Sequence, residues 1–224
     1  MAIQNALLTM ARWLLPGRES QATPGTGLPC EPHSQPREES VFFVIDGSAS
    51  MGIPDYLPNR FIAAIEAIAE YIGVRATLAT ADVASLIVFN SNARVVCVEC
   101  PLSEAKEHVI DPLRRMAPTN GTNIAAGLTE ARRLLKSRSR TRRVILLTDG
   151  HGGQPEPVAA ELKAARVIID VIGVGGSPAC VNETSLRQVA STINGQCRYR
   201  FIGDRGELMH HFRTIATDLV YIRR

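Results

Sequence analysis

The chain has 224 residues, 45% hydrophobic and 21% charged, which suits one globular domain of ordinary size or one domain plus a tail. Its 25 Lys and Arg against 22 Asp and Glu leave a net charge of +3, too slight to argue for nucleic acid from bulk charge, so partners must be read from sites. Five cysteines at scattered positions do not resemble a secreted disulfide framework and lead us to expect reduced thiols in a cytoplasm-like compartment. No apolar run approaches the roughly 18 residues that cross a bilayer, so a protein without a transmembrane segment is expected.

Residues 2–15 are apolar in bulk, but Gln4, Asn5 and Thr9 interrupt them and Arg12 comes late, against the charge-first order of a signal peptide. Ile3, Leu7, Met10 and Leu14 recur at helical spacing beside Trp13, which predicts an amphipathic helix over residues 1–15. It docks on its own domain or, alternatively, serves a partner or a membrane surface. Pro16, Pro24, Pro29, Pro32 and Pro36, with few large apolar residues between them, mark 16–40 as a linker. The domain then runs over 41–224 without an internal repeat.

Val41 to Asp46 is nearly all apolar, as a strand covered on both faces must be. A helix follows from Arg60 to Ile72, with Ile62, Ile65, Ala69 and Ile72 on one face. Ala84–Phe89 and Arg94–Val98 form a hairpin across residues 90–93. Ser103 is placed to cap a helix carrying Ala105 and Val109 that Pro112 breaks or restarts. Ile124, Leu128, Ala131 and Leu135 stripe the next helix; Arg143–Thr148 is a buried strand, 157–166 a helix, and Val167–Val174 a strand. Glu183–Ile193 reads as a helix, Arg198–Ile202 as a last strand, and Leu208, Phe212, Ile215, Leu219 and Ile222 as a closing helix over 207–222. The alternation predicts an α/β fold, a doubly wound, mainly parallel central sheet flanked by helices, preceded by the N-terminal helix and linker.

In such sheets ligands bind outside the carboxyl ends of the strands. There the first strand ends in Asp46-Gly47-Ser48-Ala49-Ser50, a carboxylate and two hydroxyls at alternate positions. A hard cation such as Mg²⁺ or Mn²⁺ takes oxygen donors of this kind. The strand over 143–148 runs into Asp149, and the loop 118–123 offers Thr122 just before a helix. A plainer reading has Asp46 and Ser48 capping the following turn and Thr122 capping the helix.

These three loops together resemble the von Willebrand factor type A domain with an intact metal-ion-dependent adhesion site: Asp-x-Ser-x-Ser as Asp46, Ser48 and Ser50, the Gly-Thr-Asn loop as Gly121-Thr122-Asn123, and Asp149 at the end of the fourth strand. The resemblance covers about residues 41–224. Ala49 stands where many members have Gly, and Gly47 where many have a larger residue. The resemblance implies that Ser48, Ser50 and Thr122 hold the ion, directly or through water, with Asp46 and Asp149 mainly behind them. It also implies that a partner's Glu or Asp completes the coordination, and that the closing helix can slide between closed and open states. Members without a secretion signal often resemble parts of larger assemblies working with an AAA-type ATPase or another effector. The expected protein is therefore a cytoplasmic adaptor rather than an enzyme.

Other features compete with that reading. Asp46 could serve as a nucleophile of a metal-dependent phosphohydrolase, but Ser48 stands where a second acid is usual, and His151 lacks an oxyanion donor or an orienting partner in the sequence. The run from Gly173 to Pro178 is similar to a dinucleotide loop but lacks the final Gly and follows a late strand. Cys97 and Cys100 form a CxxC without a second pair at zinc-ribbon spacing, and are expected as strand-edge thiols. Arg132, Arg133, Lys136, Arg138, Arg140, Arg142 and Arg143 run without an acid and make a solvated basic pole, or else a site for nucleic acid or an acidic partner, at the edge opposite the metal loops.

Overall fold

The computed structural model describes residues 38–79, 81–135 and 140–218. The expected N-terminal helix, most of the expected linker, Lys136, Arg138, Leu219 and Ile222 lie outside them.

Six strands form one sheet among the described residues, in the order β3-β2-β1-β4-β5-β8. β1 (Glu39–Asp46) pairs in parallel with β2 (Val83–Phe89) on one side and β4 (Thr141–Thr148) on the other. β5 (Ile168–Val174) and β8 (Tyr199–Ile202) continue the parallel run, while the edge strand β3 (Ala93–Pro101) folds back antiparallel on β2 as the hairpin the sequence predicts. The fold is thus the doubly wound, mainly parallel architecture expected. β1 begins at Glu39, two residues inside the segment read as linker.

Alternating residues of β1 build the two halves of the core. Val41, Phe43 and Ile45 face α1 (Arg60–Leu78) and α6 (Arg205–Thr217), while Phe42 and Val44 face α3 (Ile124–Leu134), α4 (Glu156–Ala164) and α5 (Glu183–Val189). Each such side chain, taken wholly from water, contributes about 1.5–3 kcal/mol. Phe43 also meets Tyr71 of α1 edge to face, with ring centroids 5.4 Å apart. Because α1 packs against both the sheet and α6, its buried surface is wider than one stripe. Phe61, Ala64, Ile65, Ile68 and Tyr71 are buried with Ile72, while Ile62 and Ala69 are half-buried.

Asn or Asp starts four of these helices. Asn59, Asn123, Asn182 and Asp204 accept hydrogen bonds from the backbone N–H groups of Ile62, Ala126, Ser185 and Glu207, satisfying donors the helices leave open.

Two expected helices are corrected. Ser103 does not cap one: it sits inside a 3-10 turn, Leu102–Glu104, followed by a π turn, Lys106–Ile110, and a short α2 (Asp111–Arg114) with Pro112 in its first turn, where a missing N–H costs nothing. The helix expected to reach Ile193 ends at Val189. Thr192–Ile193 pairs instead with Gln196–Cys197 as a small antiparallel ribbon, β6 and β7, turning on Asn194 and Gly195, both with positive φ.

The strand starts carry a buried charge network. Arg143, wholly buried, lies 2.7 Å from Glu39 and 3.6 Å from Asp170, and donates to the carbonyls of Ile215 (2.9 Å) and Asp218 (3.1 Å). Arg75 bonds Asp82 at 2.6 Å, meets Glu39 at 3.1 Å and reaches the Ala216 carbonyl at 3.3 Å. These cations meet the carbonyl end of α6, where positive charge is favoured. The expectation of an acid-free basic pole is therefore corrected. Acids outside the run meet it: Glu161 pairs with Arg132, Glu130 of the same helix with Arg133 and Glu38 with Arg140, while Arg142 donates to the Ala165 carbonyl.

Candidate metal centre

The sheet order reverses direction at β1 and β4, the topological switch point where doubly wound sheets bind ligands. The register pairs Ile45 with Leu147, so the two strands end side by side. Asp46, fully buried, accepts a hydrogen bond from the Ser48 N–H at 2.9 Å on one carboxylate oxygen and from the Thr148 hydroxyl at 2.6 Å on the other. Burial, above all, pushes its carboxyl up to about 6; the bonds from Ser48 and Thr148 oppose this and nearby Asp149 adds to it. A carboxylate held this way is short of compensating positive charge.

The hydroxyls of Ser48 and Ser50 lie 3.1 Å apart. Two adjacent oxygens of an octahedron around Mg²⁺ stand about 3 Å apart, given metal–oxygen distances near 2.1 Å. The capping alternative fails for Ser48, whose side chain makes no cap bond to the 3-10 turn Ala49–Gly52. It fails for Thr122 as well, because Asn123 caps α3. Asp46 does brace the turn, through the Ser48 N–H, and its other oxygen faces Thr148.

Backbone bonds stitch the loops together. The Thr119 N–H donates to the Gly47 carbonyl at 2.8 Å, the Ala49 N–H to the Asn120 carbonyl at 3.0 Å, and the Gly121 N–H to the Ser91 hydroxyl at 3.1 Å. The loop after β4 lies against the Thr122 loop so closely that a Cβ on Gly152, whose φ is +118°, would fall 2.1 Å from the Thr122 carbonyl oxygen. Gly47 has its own reason: a Cβ there would sit 2.8 Å from Val88 Cγ1. The structure thus links Asp46, Ser48 and Ser50 directly, brings Asp149 beside Asp46, and holds the Thr122 loop against both neighbours. The half-buried Thr122 hydroxyl has no hydrogen bond to the other four residues.

Two residues here escaped the sequence reading. Arg60, on the first turn of α1, forks onto Asp55 (2.8 and 2.5 Å) and reaches Asp149 at 3.5 Å. The fork holds the Asp55 carboxyl below its ordinary value. A cation at a helix N-terminus runs against the helix dipole, and that was the signal available in the sequence. Tyr56 accepts the Gly175 N–H at 3.2 Å and donates to the Ile202 carbonyl, pinning the 53–59 loop across the ends of β5 and β8. His151 is exposed and donates from Nε2 to the Cys180 carbonyl at 2.7 Å. The glycines after β5 form a strand-end turn into the 3-10 turn Pro178–Cys180. Cys97 and Cys100 lie on the edge strand β3, and burial pushes the Cys97 thiol up to about 11, away from redox reactivity.

Among the described residues no cluster of three or more His, Cys, Asp or Glu side chains could hold a metal. The donor set at the switch point is of another kind: hydroxyls in front, carboxylates behind. It fits a hard divalent cation bound with little direct negative charge.

Residues 41–151 match the family described as von Willebrand factor type A domain, and the chain carries that domain. Among solved structures it is similar to the conserved hypothetical protein BatB from Bacteroides thetaiotaomicron, at 19% identity over 79% of this chain and 96% of that one, TM-score 0.63. It is similar also to the SpRpn10 VWA domain, at 18% identity over 78% and 95%, TM-score 0.63. A third is the manganese-loaded TRAP protein of Plasmodium vivax, at 21% identity over 78% and 71%, TM-score 0.61. At these identities the likeness shows the fold. No curated protein matches the sequence. Among the described residues no helix is long and apolar enough to cross a membrane.

Proposed function

We propose that this domain is a metal-dependent protein-binding module, an intracellular adaptor that captures a Glu or Asp of a protein partner through Mg²⁺ or Mn²⁺ at the end of β1. The observation that carries this is the 3.1 Å separation of the Ser48 and Ser50 hydroxyls in front of the buried Asp46 carboxylate. Ser48, Ser50 and Thr122 would hold the cation, with Asp46 and Asp149 behind. When bound, it supplies a Lewis acid for a partner's carboxylate. The chain's own part is orientation: Asp46 fixes the turn through the Ser48 N–H, Thr148 fixes Asp46, and the Asn120 carbonyl holds Ala49. Arg60 takes part of the charge of Asp149. Both leave the centre weakly anionic, so an outside carboxylate adds to it favourably.

The manganese-loaded state of the TRAP protein, similar in fold, supports divalent metal use. Binding rather than catalysis is part of the same reading: His151 bonds the Cys180 carbonyl, and the Ser48 hydroxyl lies against that of Ser50. An assembly partner such as an AAA-type ATPase, and a cytoplasmic setting, are parts of the same proposal. The pairing of the basic pole with Glu38, Glu130 and Glu161 weighs against nucleic acid there. The test is a pull-down from the host with wild type and an Asp46→Ala, Ser48→Ala, Ser50→Ala variant, each with Mg²⁺ and with EDTA, after circular dichroism shows both folded. Partners held by wild type with Mg²⁺ and lost in the other samples are expected. The same partners in all four samples would overturn the proposal.

A further inference from the structure

Beside the candidate metal centre lies a cleft of about 380 Å³. Gly47, the residue between Asp46 and Ser48, forms one wall, so the cleft and the centre share a loop. Its floor is apolar, from Phe61 of α1, Val88 of β2 and Met116 after α2, and Arg94 and Arg115 stand on its rim. Both arginines are exposed, and among the described residues neither side chain has an ion pair or a hydrogen bond. That sets them apart from most of the described arginines, Arg166 being a further exposed one whose side chain has no ion pair or hydrogen bond among the described residues. Arg60, Arg75, Arg132, Arg133, Arg140, Arg143, Arg187, Arg198, Arg200, Arg205 and Arg213 each meet an acid. The absence of a side chain at position 47 keeps the wall low, since a Cβ there would press on Val88.

We infer that this cleft is a second recognition site for the same partner, and that it takes an acidic peptide segment: a carboxylate on Arg94 and Arg115 with an apolar side chain on the floor between them. The inference rests on the reading of the neighbouring centre as a carboxylate site, and it gives that site a specificity which a lone metal–carboxylate contact lacks. Charge complementarity selects the occupant. Two unpaired guanidiniums beside an apolar floor favour a fork-on-fork carboxylate pairing, and that floor seats an apolar side chain, whereas a nucleotide base finds no exposed aromatic partner there. Phe61 lies on the floor, not on an exposed stacking face. A peptide bridging from metal to cleft has two anchors on one short chain, and each raises the effective concentration of the other.

The test uses fluorescein-labelled short peptides, each with two Glu or Asp separated by Leu or Phe and spacers of varied length, read by fluorescence anisotropy on the full chain. Samples are wild type, Arg94→Glu with Arg115→Glu, Arg94→Lys with Arg115→Lys, and Ser48→Ala, each with Mg²⁺ and with EDTA. A labelled single-stranded oligonucleotide runs in parallel. Expected is Mg²⁺-dependent binding of a subset of peptides, weakened about tenfold or more by the Glu pair, since like charges brought together at an interface repel strongly, and largely kept by the Lys pair. Mg²⁺-dependent peptide binding that the Glu pair leaves unchanged overturns the cleft and leaves the metal centre standing. Binding that survives EDTA and Ser48→Ala but is lost in the Glu pair upholds the cleft and overturns the metal reading. No binding by any peptide, or preferential oligonucleotide binding lost in the Glu pair, overturns the inference.

Discussion

Asp46→Asn in metal-free protein should change how stability depends on pH, by an amount the structure sets. The Asp46 carboxyl is fully buried and pushed up from an ordinary value of 3.8 to about 6, chiefly by burial. A carboxyl with a raised native pKa binds its proton more tightly folded than unfolded. Its stabilisation is whole below about pH 4, falls as pH rises through about 6, and is then gone. The gap between the two values corresponds to about 3 kcal/mol. His211 complicates the raw profile. Burial first, then Arg200, holds its imidazole down to about 4, so its stabilisation appears as pH rises between about 4 and 6.5, with the opposite sign. The wild type minus Asp46→Asn difference removes that term, because His211 is common to both. Hydrogen bonds lost by the amide add an offset that does not vary with pH. Urea unfolding in EDTA, followed by far-ultraviolet circular dichroism from about pH 4 to pH 8, measures both proteins. The difference should fall by about 3 kcal/mol between pH 4 and pH 7, and excess Mg²⁺ should shrink that fall, since a nearby cation compensates the buried charge. Parallel curves in EDTA would refute the claim that Asp46 carries an uncompensated charge.

Three further outcomes follow from single contacts. Arg143→Ala leaves Glu39 and Asp170 buried without their cation and the end of α6 unbonded, and should cost about 3–5 kcal/mol in urea unfolding at neutral pH; a loss below about 1 kcal/mol would mean that the network is slack. Arg60→Gln removes the positive charge that faces Asp149 at 3.5 Å and should tighten Mg²⁺ binding about tenfold by titration calorimetry, whereas weaker binding would show that Arg60 positions Asp149 instead of opposing the ion. Gly152→Ala drives a Cβ into the Thr122 carbonyl at a positive φ, and should cost about 1–3 kcal/mol while weakening Mg²⁺ binding; unchanged values for both would contradict the packing of those loops.

Much of the fold was legible because its signals are local. Val41 to Ile45 is apolar on both faces, and Leu208, Phe212 and Ile215 repeat at helical spacing, so β1 and α6 stand close to where the sequence puts them. The errors fall where local signals compete. Residues 102–114 carry helical apolar spacing but bend through 3-10 and π turns before Pro112, and Thr192–Ile193 continues a helical period that Ala190, in an extended conformation, has already ended. What the sequence hides is pairing at long range. Arg143 reads as one of a basic run until Glu39, 104 positions before it, meets it across the sheet. Arg60 and Asp149, 89 positions apart, are equally invisible. Asp46, Ser48, Ser50 and Asp149 stood out by strand-end logic and Thr122 by its loop before a helix, while the family resemblance joined the three loops into one candidate set, because hydroxyls in loops carry no periodicity. The cleft under Arg94 and Arg115 draws on four separate segments and has no sequence signal at all.

The central claim is that Ser48, Ser50 and Thr122, backed by Asp46 and Asp149, hold a divalent cation that keeps room for an outside carboxylate. Electron paramagnetic resonance of Mn²⁺ titrated into the full chain tests it most directly, with wild type beside the Asp46→Ala, Ser48→Ala, Ser50→Ala variant and with acetate added at saturation. The account predicts one bound Mn²⁺ per wild-type chain, none in the variant, and a changed spectrum when acetate enters. Wild type that leaves Mn²⁺ free, or a variant that binds it equally, would contradict the account.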